Sequence, residues 1–77
     1  MIEVEGEICL TTTEMQNWVD RCWMTIRRWR TFYDPPIPYK LVGRYYVFPI
    51  EGSRQWIIDV LGWDPEYPSD YEPEEEE

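Results

Sequence analysis

Histidine is absent from this 77-residue chain, cysteine occurs twice and glycine four times. With no imidazole, Cys9 and Cys22 cannot complete a four-ligand zinc site, and one pair is too few for a secreted disulfide scaffold. Both thiols are therefore expected to be free and buried. No glycine-rich phosphate loop, nucleophile motif or well-placed carboxylate pair is present. The usual groups for proton transfer and covalent catalysis are missing, so neither an enzyme nor a cofactor is expected. No run approaches the roughly 18 apolar residues of a membrane span. The start, Met1-Ile2-Glu3-Val4-Glu5, is acidic where a signal peptide is basic. A cytoplasmic protein without membrane contact is the expectation.

The chain is rich in large apolar side chains, with 43% hydrophobic and 17% aromatic residues. Those side chains can offset ordering entropy, and the length suits a single core. The net charge of −9 reads against nucleic acid until it is divided along the chain. From Asp64 to Glu77 there are eight acids and no base; residues 1–63 hold the other eight acids and all seven bases, a net of −1. Every base follows Cys9, whereas Glu3, Glu5 and Glu7 precede it. The expected organisation is a folded domain over residues 1–63 with a locally basic centre, followed by a disordered acidic tail over 64–77, where prolines alternate with carboxylates.

Ile2, Val4, Ile8 and Leu10 alternate with glutamates in the period of a half-buried strand or an extended lead-in, interrupted by Gly6. Thr11 and Glu14 have the spacing of a capping box, which starts a helix near Thr12, and Met15, Trp18, Val19 and Cys22 give it one apolar face. A second helix begins near Met24 or Thr25. At about 100° per residue it places Ile26, Trp29 and Tyr33 inward, Arg27, Arg28 and Thr31 outward and Arg30 at the border. Asp34-Pro35-Pro36-Ile37-Pro38 ends it. Tyr39–Val42 and Tyr45–Phe48 around Gly43-Arg44 read as two short strands and a turn. Pro49-Ile50-Glu51-Gly52 breaks the second strand, and Ser53 to Leu61 reads as a third helix stopped by Gly62. Trp29 and Trp56 fall on the apolar stripes and are assigned to the core.

Helix, tight turn, basic helix, hairpin, helix is the order of a winged helix-turn-helix domain, an α+β fold with helices and a two-stranded wing. Leu10-Thr11, then Thr25-Ile26-Arg27-Arg28-Trp29, Pro35-Pro36, Lys40 and Gly43-Arg44-Tyr45-Tyr46-Val47-Phe48 resemble the lambdoid phage excisionases, which are recombination directionality factors. The resemblance covers roughly residues 10–50. It implies double-stranded DNA as partner, with Thr25, Arg27, Arg28 and Arg30 on the recognition helix and Arg44 in the minor groove from the wing tip. It further implies copies side by side on an attachment site, a phage integrase biased toward excision, and a possible role in transcription regulation. The residue types agree: arginine pairs with guanine edges and suits a narrow minor groove. Thr25, Thr31 and Lys40 are candidate phosphate contacts. An alternative from another class is a small acidic phage protein that blocks a host nucleic-acid-binding or defence complex by protein contact, in which case the arginines are a solvated face and the tail is a DNA-like polyanion.

Overall fold

The computed structural model describes residues 1–71. Along them the chain forms β1 (Ile2–Val4), β2 (Glu7–Thr11), α1 (Thr12–Val19), α2 (Trp23–Thr31), β3 (Lys40–Val42), β4 (Tyr45–Pro49) and α3 (Ile50–Trp56). The last helix continues as a π-helical turn over Ile57–Leu61.

The two central helices begin and end where local chemistry directs. The Thr11 hydroxyl accepts from the Glu14 amide at 3.3 Å, and the Glu14 carboxylate accepts from the Thr11 amide at 3.0 Å. This reciprocal pair satisfies donors that the first helical turn leaves open. Asp20 then adopts a left-handed conformation (φ 53°, ψ 49°) and closes α1 with its own amide on Gln16 O. α2 starts at Trp23, so only Asp20 to Cys22 connect it to α1. Ile26 and Trp29 of α2 meet Met15 and Val19 of α1 in one core with Leu10, Ile37, Phe48, Ile50, Trp56 and Ile57. Trp29 and Trp56 lie 6.0 Å apart, centroid to centroid, as core residues. Cys9 is buried as expected, but Cys22 is exposed because it caps α2 rather than extending the apolar face of α1.

The sheet corrects the expected two-stranded wing. It has four antiparallel strands in the order β1-β2-β4-β3, curled into a half-barrel. The N-terminal segment is a complete hairpin, turned at Glu5-Gly6 with both φ values positive (53° and 83°). This is the backbone a two-residue turn of right-handed twist requires, and Gly6 serves it rather than interrupting the strand. β2 then pairs with β4, Cys9 opposite Pro49 and Leu10 opposite Phe48. The wing hairpin is thus two strands of a larger sheet. Ile8, Leu10, Tyr46 and Phe48 pack toward the helices. Cys9 and Val47 lie on the opposite pleat and are buried as well, and Lys40, which pairs with Val47, shares that pleat. Lys40 Nζ bridges Glu5 Oε2 at 3.2 Å and Glu7 Oε1 at 3.1 Å, which ties β3 to the β1–β2 hairpin.

α3 begins at Ile50, three residues before the expected start, because Pro49 acts as its N-cap and lacks only an amide that no helix start uses. Its close neighbour is the proline loop: a Cβ on Gly52 would sit 3.4 Å from Pro38 Cγ. Trp56 Nε1 donates to Pro35 O at 2.9 Å, and the Ile37 amide donates to Trp29 O at 3.0 Å. Gly62, with φ 80°, terminates the helical segment.

Asp64 to Tyr71, the first part of the segment assigned as a disordered tail, lies against α1 and α3. Trp18 Nε1 donates to Glu66 O at 2.6 Å, and Arg54 pairs with Asp64 at 2.9 Å. The stacked Tyr67 and Tyr71 hydroxyls donate to the two oxygens of Glu51, each at 3.3 Å. The rest of that assignment, residues 72–77, lies outside the described residues. Among the described residues no helix is long and apolar enough to cross a membrane.

Candidate nucleic-acid interface

α2 buries Ile26 and Trp29 and leaves its other side open, whereas Tyr33, expected on the buried stripe, lies beyond the last helical residue Thr31 and is exposed, touching Trp56 edge-on. With Ile26 and Trp29 inward, Met24, Arg27, Arg28, Thr31 and Phe32 follow one another at spacings of three, one, three and one on the exposed side. They line a shallow groove of about 320 Å³. Among the described residues, the ion pairs of the molecule use the N-terminal amine, Lys40 and Arg54, and none uses Arg27, Arg28 or Arg44. Arg44 is exposed at the β3–β4 turn, where Gly43 takes φ 63° and lets the chain reverse in two residues. Three guanidinium groups without an ion pair among the described residues thus occur on α2 and at the β3–β4 turn, and the Arg30–Tyr46 contact links α2 to β4.

The other expected contacts are placed differently. Arg30 is half-buried, its guanidinium 3.7 Å from the Tyr46 ring centroid and 5.8 Å from that of Tyr39. That arrangement joins α2 to β4 and engages the charge with aromatic faces instead of solvent. Lys40 is held by Glu7 and Glu5, whose hydrogen bonds, that to Glu7 being the larger cause, push its ammonium above the ordinary lysine range. The Thr31 hydroxyl donates to Arg27 O at 2.8 Å, so its proton belongs to the helix backbone. Thr25 lies at the start of α2 with its hydroxyl 3.7 Å from Cys22 Sγ. The exposed Cys22 thiol is held below its ordinary range by hydrogen bonds from the Thr25 backbone and side chain and from the Met24 backbone, the Thr25 backbone contribution being the largest. Cys9 is pushed the other way by burial.

Two exposed apolar residues of this face, Met24 (49% exposed) and Phe32 (78%), were not singled out by the sequence reading. The signal was available, because the helical spacing that turns Arg27, Arg28 and Thr31 outward places residues 24 and 32 beside them. Trp23 at the first position of α2 and Tyr45 next to Arg44 are also exposed. Among the described residues no group of histidine, cysteine or acidic side chains could hold a metal ion. The face offers cationic forks and apolar surface. Comparison of the chain with family models, curated proteins and solved structures gave no match.

Proposed function

We propose that this protein binds duplex DNA with α2 in the major groove and the β3–β4 hairpin alongside. We further propose that it serves as an excisionase-like architectural factor, which arranges attachment-site DNA for a phage integrase. The observation that carries the reading is the pair Arg27 and Arg28 on the open side of α2, which, like Arg44 at the β3–β4 turn, make no ion pair among the described residues. A planar fork with no intramolecular partner has its donors available for a guanine edge or a phosphate. The excess of acids does not oppose this, because eight of the nine net negative charges belong to residues 64–77 and residues 1–63 carry a net of −1. Arg30 acts in this scheme as the residue that sets the angle between α2 and the sheet. Lys40 reaches phosphate only by leaving its carboxylates.

The test is binding of the full chain to duplex DNA over a salt series, followed by footprinting on the attachment and promoter regions of its own genome. Affinity falling steeply with salt and a discrete footprint support the proposal. Arg27→Ala or Arg28→Ala then weakens specific binding by roughly 1 to 3 kcal/mol where the residue reads a base. The second reading, an inhibitor that works through protein contact, is favoured by Leu41 (58%) and Tyr45 (70%), apolar residues exposed on the two faces of the hairpin. Absence of DNA binding at every salt concentration, with and without residues 72–77, would make it the better one.

A further inference from the structure

We propose that the open face of α2 reads the 5-methyl groups of thymines flanking guanine, with Met24 and Phe32 as specificity-determining residues. The inference rests on the DNA-binding reading above and adds to it the chemistry of the base sequence. Met24, Arg27, Arg28, Thr31 and Phe32 line one groove along the helix, with the two arginines in the middle and an apolar side chain at either end. Phe32 closes the helix in a right-handed helical conformation (φ −103°, ψ −8°), its amide bonded to Arg28 O, so its place on the stripe is fixed by the helix. Neither Met24 nor Phe32 belongs to the core or packs partly against it. The Phe32 ring, 78% exposed, and the Met24 thioether, 49% exposed, are apolar surface that contact with a partner would remove from water.

The partner's chemistry follows from what stands between them. Two guanidinium groups without an ion pair among the described residues call for an anion or a guanine edge. In the major groove only thymine presents an apolar group, its C5 methyl, beside such edges. Eight residues separate Met24 from Phe32, about 12 Å at about 1.5 Å per residue. Base pairs stack at about 3.4 Å, so the stripe spans three to four steps. A guanine or two in the centre with a thymine at each end fits that length. The Thr31 hydroxyl donates its proton to Arg27 O, which removes it as a competing donor to a base acceptor on this face.

The experiment selects sites from random duplexes with the full-length chain and then resynthesises the best site with deoxyuridine in place of each thymine. Removing one methyl from an apolar contact should weaken binding about three- to fivefold at each read position, in line with the transfer of one methyl-sized group. Phe32→Ser should abolish the uridine penalty at one end and Met24→Ser at the other, each without a change in melting temperature, because both side chains lie outside the core. Enriched sites lacking flanking thymines, or full tolerance of deoxyuridine, would overturn the inference while leaving DNA binding intact. If no duplex is enriched at all, the DNA-binding reading fails too, and the face belongs to a protein partner.

Discussion

Arg30 separates a structural arginine from its recognition neighbours, and replacing it has a predictable cost. Its guanidinium lies 3.7 Å from the centre of the Tyr46 ring, and the side chain is half-buried between α2 and β4. A cation–π contact is worth about 0.5–1 kcal/mol when exposed and about 2 when desolvated. The methylene stem adds apolar contact that alanine cannot keep. Arg30→Ala should therefore destabilise the fold by about 1 to 2.5 kcal/mol. In a domain of this size each kcal/mol moves the melting temperature by about 4–8 °C. Arg27→Ala and Arg28→Ala, both exposed, should stay within about 0.5 kcal/mol of the parent. Urea unfolding followed by tryptophan fluorescence, with a far-UV dichroism melt, reads all three. A double-mutant cycle with Tyr46→Leu isolates the pair, and a coupling of at least about 0.5 kcal/mol is expected. If Arg30→Ala melts with the parent and loses DNA affinity as Arg27→Ala does, Arg30 is an interface residue and its contact with Tyr46 carries no stability.

Other consequences follow from how charges and thiols are placed. Glu5→Gln with Glu7→Gln releases Lys40, so a salt titration of DNA binding should show tighter binding at low ionic strength and a steeper salt slope; an unchanged slope would mean that Lys40 stays away from phosphate. The Tyr67 hydroxyl is pushed above its ordinary range of about 10, first by its hydrogen bond to Glu51 and then by desolvation. Because the folded-state value is raised, this contribution is fully present below pH 10 and is lost as pH rises through the folded value, so ultraviolet titration should show a late-ionising component that Glu51→Gln shifts back toward the ordinary range. Cys22 should react with iodoacetamide near neutral pH while Cys9 reacts only on unfolding, and bound DNA should slow Cys22, which caps the start of α2; mass spectrometry showing equal labelling of both would contradict their placement.

Much of the helical framework was legible in the sequence because its signals are short-range. The capping box needs only Thr11 and Glu14, the core stripe only Ile26 and Trp29, and the stop after α3 only Gly62. Each is settled within one or two turns of backbone, and the same periodicity turned Arg27 and Arg28 outward. Pairing between β2 and β4 joins Cys9 to Pro49, forty positions apart, and no local pattern carries that register. Once β2 takes its place beside β4, the alternating N-terminal segment becomes two strands, and Lys40 meets Glu5 and Glu7 across the curled sheet. Arg30 was placed at the border of its helix from sequence, yet only the approach of β4 supplies the Tyr46 ring that holds it. The segment after Asp64 has the composition of a free tail, but Trp18, Glu51 and Arg54 converge from α1 and α3 on Asp64 to Tyr71. The sequence by itself therefore determined the start of α1, the inward and outward faces of α2 at residues 26–29 and the stop at Gly62, since those choices are made between neighbours. Tertiary structure decided which charges remain free for a partner, since that depends on residues brought together from distant parts of the chain.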